Sequence, residues 1–211
     1  MFFEIILSIF VGYQTDLNTK LTLMTSPITI VPVTKKRQMR KFVDLSLKLF
    51  WDCPHYVPEL AFDTLATLNP KKNPSFEFCE AQPYLAYRDN KIVGRVVAIV
   101  NYRANERWGY KQVRFGWIDF IEDYEVLKAL LDTVVAWGKE RGMTTMEGPN
   151  GFTDFDREGA LTYGFDRFAT MATIYNPPYY IDYYHRYGLV KSVEWVEKRI
   201  TVPDQLDKHV R

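Results

Sequence analysis

Cysteine and histidine are scarce in this chain: among 211 residues there are two Cys, Cys53 and Cys79, and three His. The two Cys form no close pair and no Cys/His spacing that would hold a metal, so neither a disulfide scaffold nor a zinc site is expected. A reduced, cytoplasmic protein without metal is the reading that follows. His55, His185 and His209 are scattered, and no hydrolase triad can be assembled from them. An excess of one charge is also missing. Lys and Arg number 27 against 26 Asp and Glu, so no global field recruits nucleic acid or an anionic membrane. The basic cluster Lys35 to Lys41 opens an amphipathic helix and reads as its solvated face. Gly148, Gly151, Gly159 and Gly164 match no nucleotide-binding pattern and read as turns, with Arg157 among them facing an anion if they wall a cleft.

Long apolar runs are absent as well. Met1 to Gly12 is interrupted by Glu4 and falls short of the roughly 20 apolar residues that a membrane helix needs. It lacks a basic leader, and Tyr13-Gln14-Thr15 is no small-residue cleavage site. Residues 1–23 are therefore expected to be an extension, or the product of an upstream start codon, ahead of a domain over residues 24–202. Residues 203–211 read as the start of a continuation, so a second half is expected beyond the chain given.

What is present is an ordinary globular composition, 47% apolar and 25% charged, unusually rich in rings with fourteen Tyr, fourteen Phe and five Trp. Hydrophobic periodicity predicts a short strand over Ile28 to Val33, a long helix over Lys35 to Trp51 and a second helix over Glu59 to Leu68. A hairpin follows, Tyr84 to Tyr87 and Ile92 to Val100 about an Arg88-Asp89-Asn90-Lys91 turn. Asn101 to Tyr110 reads as a polar loop and Val113 to Ile121 as a buried strand. A helix over Asp123 to Arg141, stopped by Gly142, leads to a short strand over Thr144 to Glu147. A strand over Phe168 to Tyr175, a helix opened by Asn176 and closed by Gly188, and a last strand over Ser192 to Val202 complete the order. The whole predicts an α/β domain on one mixed sheet.

Several phrases carry a resemblance: Tyr56-Val57-Pro58-Glu59-Leu60, Lys72-Asn73-Pro74, Val93-Gly94-Arg95-Val96, Arg141-Gly142-Met143, Gly148-Pro149-Asn150-Gly151-Phe152, Gly164-Phe165 and above all Tyr175-Asn176-Pro177-Pro178-Tyr179-Tyr180. Together, over roughly Pro27 to Val202, they resemble an uncharacterised bacterial GNAT-like family with the acyl-CoA N-acyltransferase fold. The resemblance implies a central mixed, mostly antiparallel sheet flanked by helices. It also implies acetyl-CoA or another acyl-CoA as co-substrate and a small-molecule amine or peptide as acceptor; from the charge balance no nucleic-acid or membrane partner is expected, and oligomeric state is left open.

In such enzymes an acyl thioester lies in a split between two strands, a base takes the amine proton and an acid protonates the leaving thiolate. By position, Asp119 is the candidate base and Tyr184, four residues before Gly188, the candidate acid. Glu122 is a weaker substitute for the first, and Tyr180, Tyr183 and Tyr187 compete for the second. Asp119 could equally be a strand-end carboxylate paired locally, and Tyr184 a packed ring. In strict alternation Asp119 shares a face with Val113, Phe115 and Trp117, where burial would raise its pKa. The resemblance further implies that the backbone of Trp117, Ile118, Phe120 and Ile121 pairs with the pantetheine arm and that the Asn176 amide bonds it, although Asn176 also reads as a plain N-cap. One departure stands out. The turn Ile121-Glu122-Asp123-Tyr124-Glu125-Val126, where the resemblance implies a glycine-containing diphosphate loop, has no glycine and three acids, which opposes a diphosphate. A degenerate member that binds a small ligand or a protein without catalysis is the competing expectation.

Overall fold

The computed structural model describes the backbone of residues 4–12 and, in full, residues 26–170, 173–198 and 200. The expected domain start near Met24 and the continuation over 203–211 lie outside the described residues.

Eight strands and five α-helices follow one another as β1 (Glu4–Gly12), β2 (Thr29–Pro32), α1 (Lys36–Leu49), α2 (Ala61–Thr67), β3 (Cys79–Arg88), β4 (Lys91–Asn101), α3 (Tyr102–Trp108), β5 (Gln112–Phe120), α4 (Tyr124–Lys139), β6 (Thr145–Gly148), β7 (Ala160–Leu161), α5 (Tyr179–Tyr187) and β8 (Leu189–Lys198) among the described residues. The sheet runs β2-β3-β4-β5-β6-β1-β7, and β8 also pairs with β1. Every pairing is antiparallel except β5 with β6. This is the expected architecture, a mixed and mostly antiparallel sheet with helices on both faces. The Glu4–Gly12 run, read from sequence as an extension, is a strand within that sheet.

Local chemistry explains the elements. Asp89 and Asn90 both adopt positive φ, 48° and 61°, and make the tight turn joining β3 to β4. One face of β4 packs through Val96, Ala98 and Val100 on α4, whose Val126, Leu127, Leu130, Leu131 and Val134 are wholly buried. Its other face sends Val97 and Ile99 into a second core with Phe42 and Val43 of α1. Burial on both faces is what a continuous β-branched run predicts.

Two elements differ from expectation. Asn101 to Tyr110 contains a short helix, α3, because the Asn101 side chain accepts from the Ala104 N–H at 2.9 Å and Gly109 closes the helix at φ 68°. None of its residues is buried, so no apolar periodicity announces it. The described part of Phe168 to Tyr175 forms no strand; the small strand lies earlier, at Ala160–Leu161.

The feature that places the site is a bulge in β5. Arg95 stands opposite Asp119 but Val97 stands opposite Gly116, so two steps along β4 match three along β5. Trp117 takes up the extra residue at φ 45°. The bulge also overturns the strict alternation expected from sequence. Val113 and Phe115 face the core beneath α4 and α5, whereas Trp117 packs on Phe152 in the other core, with ring centroids 6.0 Å apart. Asp119 is thereby turned away from Val113 and Phe115, toward Arg95 and the α1 face.

Candidate functional site

The parallel pairing of β5 with β6 stops early, at Arg114 opposite Glu147. The following segment crosses close over β5: the Asn150 N–H reaches Phe115 O at 2.7 Å, and a Cβ placed on Gly116 would lie 2.3 Å from Asn150 O. Glycine is required at 116 for that approach. Beyond it the strands part. A cavity of about 50 Å³ opens between Trp117, Ile118 and Asp119 on one side and Pro149, Gly159 and Ala160 on the other, with Tyr180 and Tyr184 of α5 also lining it.

Asp119 and Tyr184, proposed from sequence as base and acid, both line this cavity. Asp119 is 8% exposed and is held by Arg95, whose Nε and Nη2 both lie 2.7 Å from its Oδ2. The same Nη2 reaches Glu59 Oε1 at 2.7 Å, and Arg95 Nη1 donates to the Phe42 carbonyl of α1 at 2.9 Å. Thr64 of α2 donates to the other Glu59 oxygen at 2.8 Å. One buried cation thus joins two carboxylates from different elements.

The electrostatics follow from that grouping. Burial raises the Asp119 pKa above its ordinary value, against the pull of Arg95 and with the help of Glu59. Burial also favours neutral Glu59, but the Arg95 charge and the hydrogen bonds from Arg95 and Thr64 outweigh it and hold Glu59 low. Arg95 remains a cation because its carboxylates more than offset desolvation. Arg157, expected to face an anion, lines the cavity and acts on both Asp119 and Glu59.

Tyr184 is wholly buried against Phe115 and Tyr180, with centroids at 6.0 and 6.2 Å. Burial and then the Asp119 charge raise its phenol well above 10, so it stays protonated. The competing tyrosines are otherwise engaged: Tyr180 stacks on Phe120 at 4.0 Å, and the Tyr187 hydroxyl donates to Asp132 at 2.9 Å. Tyr183 packs on Tyr124, and Glu122 acts on Tyr179 and Tyr183, away from the residues that line the cavity.

The residues expected to bind a pantetheine arm divide. Trp117, Ile118 and Asn176 line the cavity. The Phe120 N–H instead donates to the Tyr180 hydroxyl at 2.9 Å, and the Tyr179 hydroxyl donates to Phe120 O at 2.7 Å. The Ile121 N–H is bonded to Val93 O at 3.0 Å. Asn176 is not an N-cap, since α5 begins two residues after Pro177. Its Oδ1 accepts from the Leu161 N–H at 2.6 Å and its Nδ2 donates to Leu161 O at 3.2 Å, so its amide pairs with β7 as a neighbouring strand would.

Glu59 and Arg95 are the members that position alone does not reveal. Arg95 was legible only as an odd charge inside an apolar strand, Val93 to Val100, where a buried cation needs a partner. Among the described residues there is no cluster of His, Cys, Asp and Glu able to hold a metal, and no helix long and apolar enough to cross a membrane.

No family model matches the chain. It is 28% identical over 167 residues to Protein YghO of Escherichia coli K12, covering 77% of this chain and 43% of that protein. It is also 28% identical over 153 residues to a bacterial ceramide synthase of Caulobacter vibrioides, covering 72% of this chain and 40% of that one. The chain therefore spans less than half the length of these relatives. Among solved structures, a GNAT-family acetyltransferase of Staphylococcus aureus Mu50 aligns with a TM-score of 0.37 at 19% identity, over 56% of this chain and 69% of that one. A conserved protein of unknown function from Staphylococcus epidermidis aligns with a TM-score of 0.43 at 11% identity, over 92% of this chain and 60% of that one.

Proposed function

We propose that this chain carries the acyl-transfer site of an N-acyltransferase, which moves an acyl group from acyl-CoA or a related pantetheine thioester to an amine. The observation that carries the reading is the meeting of Asp119 and Tyr184 on one cavity, at the point where β5 bulges and parts from β6. The amine nitrogen attacks the thioester carbonyl carbon, forming the C–N bond as the C–S bond breaks. Asp119 takes the proton that the nitrogen loses, directly or through a water, and Tyr184 gives its proton to the leaving sulfur. Arg95 occupies Asp119 Oδ2, and a carboxylate has further lone pairs with which to accept that proton. Burial raises the proton affinity of the leaving thiolate as it does that of Tyr184, which keeps the transfer between them feasible.

The inner cavity has room for only a few waters, so a substrate places just its reacting end there. A larger hollow of about 730 Å³ shares Glu59, Trp117 and Arg157 with it and is lined by Asp63, Asp154, Asp156, Glu158 and Glu197. That acid-rich wall favours the approach of a cationic amine, which gives one proton to solvent and attacks as the free base. The relative named a bacterial ceramide synthase adds support for amide formation as the reaction class.

Thermal shift with acetyl-CoA and longer acyl-CoAs tests the reading, because a ligand at 100 times its dissociation constant stabilises by about 2.7 kcal/mol. No shift with any of them would sink it in its coenzyme A form. A second reading, a binding domain without catalysis, is favoured by the engagement of the Phe120 backbone with Tyr179 and Tyr180. It requires ligand binding without turnover.

A further inference from the structure

The turn ahead of α4 is where a helix N-terminus would ordinarily grip a diphosphate, because its unpaired N–H groups and dipole favour an anion. Here the chain supplies its own anion. Asp123 is the N-cap, its Oδ1 accepting from the Glu125 N–H at 2.9 Å, while its Oδ2 is ion-paired with Arg88 Nη1. Both oxygens of the carboxylate are used, one on the helix end and one on the cation beside it.

The other cations near this turn are also engaged. Lys128 Nζ lies 2.6 Å from Asp132, and the Arg186 guanidinium stacks over the Tyr124 ring at 3.8 Å. Burial raises the Tyr183 phenol, and of the charges that act on it Glu122, Asp123 and Asp182 push it further up against Arg186 alone. A few ångströms along the chain, the Phe120 N–H and C=O are bonded to the Tyr180 and Tyr179 hydroxyls, leaving no peptide group at Phe120 for an incoming amide. Tyr180 is 2% exposed and stacked on Phe120, so its part of this closure belongs to the core, and the half-buried Tyr179 packs against it with ring centroids 5.0 Å apart.

We infer that Asp123, Tyr179 and Tyr180 determine donor specificity: they fill from within the places where a coenzyme A donor would lay its diphosphate and its inner amide. The ADP half of coenzyme A then adds no affinity. The donor is recognised through its thioester end, at Trp117, Ile118 and the cavity beyond them, and any pantetheine thioester serves. This rests on the acyltransferase reading and goes beyond it by naming the part of the donor that the protein reads.

Calorimetric titration of the chain with acetyl-CoA and with S-acetylpantetheine tests it. The expected result is dissociation constants within about threefold of each other, where a gripped diphosphate would separate them by tenfold or more, roughly 1.4 kcal/mol for each factor of ten. The second arm is Asp123→Asn, which keeps a good N-cap and removes the charge. With Arg88 released, acetyl-CoA should bind at least about fivefold more tightly, while S-acetylpantetheine is unchanged. Tighter binding of acetyl-CoA than of S-acetylpantetheine by tenfold in the unaltered chain would overturn the inference and leave the acyltransferase reading standing. An Asp123→Asn chain with unaltered acetyl-CoA affinity would remove Asp123 from the role. Failure of both thioesters to bind would overturn the acyltransferase reading and this inference with it.

Discussion

Arg95 and Asp119 face each other across the β4–β5 pair, and the arginine Nε and Nη2 both lie 2.7 Å from the same carboxylate oxygen. The pairing exists because the Trp117 bulge rotates Asp119 onto the face where Arg95 already reaches α1. Glu59 completes it from the segment leading into α2. The cluster is therefore both a tie between three parts of the fold and the electrostatic setting of the candidate base.

Removing the cation should be costly. Arg95→Met leaves Asp119 and Glu59 buried without their partner and strips a donor from the Phe42 carbonyl. Breaking a buried pair from one side typically costs about 3–5 kcal/mol. Urea denaturation should show a loss of that order, and the double change Arg95→Met with Glu59→Gln should lose less than the single one. A loss under about 1 kcal/mol for Arg95→Met would show that the cluster does not hold the helices to the sheet.

Asn176 gives a second prediction. Its amide both donates to and accepts from the peptide of Leu161, and it is 2% exposed. Asn176→Asp cannot donate to Leu161 O and would set a carboxylate against it, whereas Asn176→Ala leaves both groups unpaired. Each unsatisfied buried group costs about 1–3 kcal/mol. Both variants should lower the thermal midpoint. Hydrogen exchange at the Leu161 amide, faster in the variants than in the parent, locates the loss; unchanged exchange there would refute the assignment.

The elements that depend on periodicity were legible in the sequence: α1, α4, the β3–β4 hairpin and the glycine-closed α5. Helix α3 was not, because none of Tyr102 to Trp108 is buried and its ends are set by the Asn101 cap and Gly109 rather than by an apolar stripe. The strand expected from Phe168 onward was not found in its described part, since a β-favouring composition has no effect without a partner strand. At the site, Asp119 and Tyr184 could be placed by their positions along a strand and a helix. The Arg95 cluster could not, because it depends on a one-residue bulge that reverses the face of Asp119 and on the path of the chain before α2. A period-two reading of Val113 to Phe120 puts Asp119 with Phe115, and one positive φ at Trp117 undoes it.

The pKa directions imply a pH trend. Burial raises the pKa values of Asp119, Glu147, Asp156 and Glu158 above their ordinary ones. Between the unfolded values, near about 4, and the raised values, the folded chain binds more protons than the unfolded one, so stability falls as pH rises through that window. Glu59 and Glu80 are held low and act oppositely: the stability they contribute is present above their unfolded values and lost as pH falls through the folded ones. The stability contributed by the four raised carboxylates should therefore decline as pH rises through their window, and Asp119→Asn should flatten that decline in the thermal midpoint. A decline in the midpoint that is as steep in Asp119→Asn as in the unaltered chain would contradict the raised Asp119.

Gly116 tests the split itself. A methyl group there meets Asn150 O at 2.3 Å, a backbone atom that cannot step aside as a side-chain tip could. Gly116→Ala should cost about 1–3 kcal/mol by overpacking and push the Gly148 to Gly151 segment away from β5. Thioester binding, measured by calorimetry, should weaken more than it does for Gly109→Ala, since Gly109 has nothing within 4 Å of an added Cβ and lies away from the cavity lining. Equal binding in the two variants would mean that the gap between β5 and β6 does not hold the donor.

The chemistry has its own test in Asp119→Asn and Tyr184→Phe. Each keeps the shape of the side chain: the amide can still accept from Arg95, and the Tyr184 ring remains packed on Phe115 and Tyr180. General acid–base groups contribute about 10²- to 10⁴-fold in rate. Both variants should lose acyl transfer by that order while thioester affinity stays within about threefold, and Asp119→Asn should also remove the acidic limb of the pH–rate profile. A variant that loses thioester affinity together with rate would assign its residue to binding or packing instead. If Tyr184→Phe retains full rate while Asp119→Asn does not, the leaving thiolate takes its proton from water, and Tyr184 is the packed ring that its burial between Phe115 and Tyr180 alone would explain.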